Sequence, residues 1–194
     1  MRSYSYPRVK QLASTDAGIF LALFWGVAEA LFFRILPDFY LVAAVPAAPR
    51  RWWRLATAAS IGSVVGGVIG YWLSFPRRSS FPLEYMPLIT EKMIHTAGSW
   101  LASDGALAIL RQPMSGIPYK VFVYLSGAGH TSFLVFLWAS CIARATRIFV
   151  VTGIAGGVGA LAGENPRSRW YDVFLIAFVI LFSLSLKAVV ESFR

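Results

Sequence analysis

Six of the charged side chains that interrupt apolar sequence in this chain could do chemistry. Glu29 sits in the run FWGVAEALFF. An ionisable group at membrane depth is costly and usually faces a cavity or a partner. Glu29 is therefore a candidate proton carrier; the structural alternative is an ion pair with Arg144 or Arg34. Asp38 follows Pro37 and is a candidate second proton or cation site, or else a turn residue or helix cap. Arg144 and Arg147 are three residues apart, so they share one helix face. Guanidinium forks match phosphate oxygens, which makes this pair a candidate grip on a lipid phosphate. Otherwise the two arginines snorkel from a helix end or neutralise Glu29. Arg111 and Lys120 flank Pro113, Gly116 and Pro118. They would line the entrance for an anionic headgroup, or anchor the chain at the interface.

These residues stand on two interrupted apolar segments. The first, FWGVAEALFFRILPDFYLVAAVPAAP, contains Glu29, Arg34, Pro37, Asp38 and Pro46. The second, ALAILRQPMSGIPYKVFVYLSGA, contains Arg111, Pro113, Gly116, Pro118 and Lys120. A helix broken at membrane depth is tolerated only where it is buried in protein or lines a wet cavity. Two such segments point to a transporter-like binding site. Gln112, Ser115 and Tyr119 are expected to satisfy the backbone groups freed at the second break.

The composition places the chain in a membrane. It is 57% hydrophobic, with a mean hydropathy of +0.63, well above a soluble domain. Eighteen Lys and Arg against nine Asp and Glu give a net charge of +9. Because the bases lie beside apolar runs, anionic lipid headgroups fit them and nucleic acid does not. Seven Trp and eight Tyr suit an interfacial belt. A single cysteine, Cys141, excludes an intrachain disulfide and a cysteine metal cluster. No metal site and no cofactor is expected. The basic N-terminus is read as a retained segment rather than a signal peptide, since no clear cleavage site follows Ala17.

The expected architecture is one all-α polytopic membrane domain over residues 1–194. After a polar, interfacial leader (1–16), it comprises a first broken hairpin (17–48), a span (55–75), an amphipathic surface helix (88–103), a second broken hairpin (106–128) and two further spans (131–163 and 171–190). The two hairpins are each read as re-entrant, entering and leaving on one side, and the two hairpin-plus-span units look like a diverged repeat. In the 55–75 span, Gly62, Gly66 and Gly70 form a small-residue face for close helix approach. His95 is read as interfacial and His130 as a turn residue. The leader, the Arg50–Arg54 knot and the Arg167/Arg169 loop would share the cytoplasmic side; Arg77 and Arg78 then fall outside, against that scheme.

SGAGH at 126–130 with ARATR at 143–147 loosely resembles lipid phosphatases of the acid-phosphatase type. No histidine follows His130, so a phosphohistidine mechanism lacks its nucleophile. Phosphate-binding glycine loops, zinc spacings and Ser–His–Asp sets are also missing, and an enzyme is not expected.

The segment Gln112–Lys120, then Ser126-Gly127-Ala128-Gly129, then Ala143-Arg144-Ala145-Thr146-Arg147 resembles the DedA/VTT (SNARE-associated) membrane protein superfamily, in particular its small YqaA-like bacterial members. Glu29, Leu36-Pro37-Asp38 and the Gly62–Tyr71 helix are similar to that family's first half, and the likeness covers roughly residues 20–160. It implies two opposed re-entrant hairpins in a helical bundle, in a bacterial inner membrane. It further implies movement of a phospholipid or polyprenyl phosphate between leaflets, in some members linked to the proton-motive force. The family's acids would fall on Glu29 and Asp38, and its arginines on Arg144 and Arg147. Two departures, Pro37 followed directly by Asp38 and Lys120 in place of the frequent arginine, bear on substrate and coupling ion.

Three readings follow. The first is a transporter or scramblase for a lipid with an anionic phosphate, with proton coupling through the acids. The second is a proton-coupled transporter of a small solute or ion. The third is a scaffold in which the charges are structural pairs and the glycine faces bind a partner. Membrane lipids are the expected partners, nucleic acid is not, and a homo-oligomer is one state open to such a chain.

Overall fold

The computed structural model describes residues 6–32, 38–75, 83, 86, 89–162 and 170–193. Among them every regular element is helical. In chain order these are α1 (Tyr6–Ala13), α2 (Asp16–Leu31), α3 (Asp38–Ala47), α4 (Trp52–Ser74), α5 (Glu91–Asp104), α6 (Gln112–Ser115), α7 (Tyr119–Ala128), α8 (Phe133–Ala162) and α9 (Trp170–Ser192). Short 3-10 turns at Pro49–Arg51 and Gly105–Arg111 lead into α4 and α6. Three stretches are long and apolar enough to cross a bilayer: Pro49–Ser74, Phe133–Leu161 and Trp170–Ser192. A fourth is present if α1 and α2, bent by 86°, count as one span. By contrast α3 and α7 have ten residues each. At 1.5 Å per residue each covers about 15 Å, half of a hydrocarbon core.

Helix α4 is the hub, with α2, α7 and α8 all laid against it. The α2–α4 seam is built by small residues on both sides. Gly18, Ala22, Gly26 and Ala30 recur every four residues along α2 and are buried. A methyl group on Gly62 would strike the backbone carbonyl of Leu23, and one on Gly26 would strike that of Ala59. One on Gly66 would stand 2.5 Å from the carbonyl oxygen of Val27. The two backbones therefore touch, which is the geometry small residues permit between membrane helices. A second face of α4 receives α7, where Gly70 lies under Val123 and Gly127 lies against Tyr71 and Ser74. Helix α8 meets α3 in the same manner, with Gly159 against the backbone of Pro46.

The ends of the bundle are fixed by aromatic and polar contacts. Tyr71 is ringed by Trp72, Phe75, Phe133 and Phe136, and its hydroxyl donates to the carbonyl of Thr131 at the α7–α8 turn. His130 occupies that turn at φ 51° and stacks on Phe75 at 4.1 Å, as a turn residue. Toward the N-terminus, Tyr40 donates to the carbonyl of Gly18 over 2.9 Å, close to the bend between α1 and α2.

Boundaries differ from the sequence expectation in three places. The leader is not merely polar: it forms α1, with Tyr6 and Ala13 buried. The first span starts at Pro49 rather than 55, because the Arg50–Arg54 knot is itself helical. The amphipathic helix begins at Glu91, where Thr90 caps it by accepting from the amide of Met93, and not at Leu88, which lies outside the described residues. It docks through Met93, Ala97 and Leu101 and leaves His95 exposed. Pro37 and Arg34 also lie outside the described residues, as do the Arg77/Arg78 and Arg167/Arg169 segments.

The glycines divide sharply by environment. Gly62→Ala is expected to lower the stability of the detergent-solubilised protein by about 1–3 kcal/mol, since two backbones must separate. Gly98 on α5 has nothing within 4 Å of where a Cβ would stand. Gly98→Ala is expected to raise stability by about 0.5–1 kcal/mol through helix propensity. Thermal unfolding of the two variants side by side checks both signs.

Candidate functional site

Glu29 lies on α2 next to the small-residue stripe that faces α4, and it is 2% exposed. Arg144, 1% exposed on α8, donates from Nη2 to its Oε2 over 2.9 Å. One turn along α8, Arg147 donates from Nη2 to Oδ2 of Asp38 over 2.7 Å. Asp38 is the first residue of α3, where a carboxylate also complements the helix dipole. The acids of the first broken segment thus meet the arginine pair of α8 one to one. The three-residue spacing of Arg144 and Arg147 lets a single helix face reach both. Of the two structural partners open to Glu29, Arg144 bonds it, and Arg34 lies outside the described residues.

The two pairs differ in wetness. The Glu29–Arg144 pair is sealed, whereas Arg147 keeps about a fifth of its side chain accessible, at 22%. Buried charges persist only when paired and hydrogen-bonded, and the inner pair is incompletely satisfied. Arg144 Nε and Nη1 are buried and find no hydrogen-bond partner among the described residues. Its guanidinium instead lies over the ring of Tyr119, 4.9 Å from the centroid, a cation–π contact strengthened by the dry surroundings.

The second break seals itself. Pro113 falls in the first turn of α6, Gly116 takes φ +73° in the left-handed region, and Pro118 directly precedes α7. Gln112 Nε2 donates to the carbonyl of Ile117 over 3.2 Å. Ser115 Oγ donates to the carbonyl of Gln112 and accepts from the amide of Ile117. Gln112 and Ser115 therefore satisfy freed backbone groups as expected. Tyr119 does not: its hydroxyl makes no well-formed hydrogen bond among the described residues, and its ring supports Arg144.

Lys120 and Arg111 part company. Lys120 is 7% exposed and lies within the field of Glu29, so it joins the inner group. Arg111 instead pairs with Asp104, stacks over Trp100 at 5.4 Å and is half exposed. The two residues expected to line one entrance, or to anchor the chain at the interface, thus lie in different surroundings: Lys120 is buried on α7, and Arg111 ends the 3-10 turn of Gly105–Arg111. No group of three or more metal-ligating side chains occurs among the described residues.

Two residues at the site escaped sequence reasoning. Ser140 stands one helical turn before Arg144, and its hydroxyl lies beside that of Tyr119. Gly67 faces Tyr119, whose ring occupies the space a side chain would need. The four-residue spacing of Ser140 and Arg144 was the available signal for the first; nothing local marked the second.

No protein-family model matches the sequence, and no solved structure matches it. The chain is similar to an uncharacterized protein of Haemophilus influenzae, 27% identical over 188 residues that cover 92% of this chain and 95% of the relative. It is also similar to an uncharacterized protein of Histophilus somni, 28% identical over 182 residues covering 90% and 94%. Both relatives are bacterial and match over nearly their full length.

Proposed function

We propose that this chain is a bacterial inner-membrane transporter or scramblase that moves a phosphate-bearing lipid, a phospholipid or a polyprenyl phosphate, between leaflets. The observation that carries the reading is the double cross-link of Glu29 to Arg144 and Asp38 to Arg147, two acid–arginine pairs inside a bundle of apolar helices. Charges so placed mark substrate and ion pathways in membrane proteins. Guanidinium groups supply the phosphate grip, and the carboxylates take up protons or relieve the arginines' charge. The ten-residue helices α3 and α7 suit re-entrant arms, each about half a bilayer deep. The likeness to the DedA/VTT superfamily points the same way.

A second reading draws on the same pairs. Each acid already has its arginine, which is also how a structural staple in a scaffold protein would look. Breaking a buried pair by removing one partner costs about 3–5 kcal/mol, whereas replacing both charges by apolar groups is often neutral. The double variant Glu29→Leu with Arg144→Met is therefore expected to unfold near the wild-type temperature. If the pair serves transport, that variant is nevertheless inactive. Wild-type activity in it would establish the staple.

The direct test is leaflet exchange of fluorescent phospholipids in liposomes holding the purified protein, with and without a pH gradient. Exchange is expected, and Glu29→Gln and Arg144→Ala are each expected to abolish it while remaining folded. Normal exchange by both single variants would sink the mechanism. Proton-driven solute uptake that ignores added lipid phosphate would favour a small-solute transporter instead.

A further inference from the structure

Glu29 engages Arg144 through one nitrogen, Nη2. A guanidinium carries five N–H donors, so Nε–H and both N–H groups of Nη1 stay open, and they are buried without a partner among the described residues. Buried donors of this kind ordinarily have a partner. The hydroxyls of Tyr119 and Ser140 lie side by side next to them, also without a well-formed hydrogen bond. What these donors lack is an acceptor.

We propose that the open N–H groups of Arg144, together with the hydroxyls of Tyr119 and Ser140, form a seat for a phosphate oxyanion that is filled while the Glu29–Arg144 bond stays in place. This rests on the lipid-phosphate reading above and adds to it which donors hold the oxygens. Tyr119 is central because it touches both the break and the arginine. It follows Pro118 directly, and its ring carries the guanidinium. Gly67 permits that position: a methyl group there would collide with the Tyr119 hydroxyl and stand 3.0 Å from Cζ. Hydroxyl and guanidinium hydrogens can then converge on one phosphate group, as charge-assisted bonds in a low-dielectric site. The chemistry is common to a lipid headgroup and to free phosphate.

Calorimetric titration of the full-length protein in detergent tests this, with inorganic phosphate and dihexanoylphosphatidic acid as probes. The wild type is expected to bind the lipid, and to bind inorganic phosphate as well if the headgroup alone suffices. Tyr119→Phe, which keeps the ring under Arg144, and Ser140→Ala are each expected to weaken binding about tenfold, with unchanged thermal midpoints. Glu29→Gln is expected to bind at least as tightly as wild type, since a repelling carboxylate is gone. Wild-type affinity in both hydroxyl variants, loss of binding in folded Glu29→Gln, or no binding of either probe by the wild type would overturn the seat. The two proposals can fail separately. Unimpaired lipid exchange by Tyr119→Phe and Ser140→Ala would remove the seat and leave lipid transport standing. Tyr119- and Ser140-dependent phosphate binding by a protein that exchanges no lipid would do the reverse.

Discussion

Opposite charges can enter hydrocarbon only together, and the Glu29–Arg144 bond is where this bundle meets that constraint. The partners are separated by 115 residues in the chain, so their union fixes the first broken segment against α8. Everything around the bond serves that approach. Helix α2 can bring Glu29 inward only because its backbone touches α4 across Gly26, Gly62 and Gly66. Helix α8 can bring Arg144 inward only because its far end rests on α3 without a side chain at Gly159. Close helix contact without side chains is thus a condition for the buried charge.

The second break contributes from the other side. Its backbone is closed by Gln112 and Ser115 in a local ring of hydrogen bonds. That closure frees Tyr119, the first residue of α7, to turn its face to Arg144 rather than mend the chain. The two interrupted segments therefore meet at one guanidinium: one through a carboxylate, the other through an aromatic ring. A shift in either break is felt by the same side chain.

The charges were legible in the sequence because ionisable residues in apolar runs are conspicuous by type alone. Their pairing was not. Glu29 had Arg34 and Arg144 as candidates, and only the three-dimensional path of α8 brings Arg144 to it. Arg111 and Lys120 looked alike beside the break, yet a tight 3-10 turn sends one out to Asp104 and α7 buries the other. Gly62, Gly66 and Gly70 read as a single face, but four residues overshoot a 3.6-residue turn by about 40°. The stripe drifts, so Gly62 and Gly66 meet α2 while Gly70 meets α7. The matching stripe on α2 was hidden because two of its members, Ala22 and Ala30, are unremarkable in an apolar run.

Helix α9 stands apart from this economy of close contacts. None of its central apolar stretch is buried in protein. Tyr171 holds one end by donating to the carbonyl of Ala43 over 2.7 Å, and Phe178 and Phe182 flank Phe39. At the other end Val189 covers Gly116, and Lys92 donates to the carbonyl of Ser192 over 3.0 Å. Between those fastenings acyl chains, rather than protein, are the solvent. The thickness of the surrounding bilayer therefore acts on α9 as a mechanical load. Its two points of application are the residue next to Asp38 and the left-handed turn of the second break.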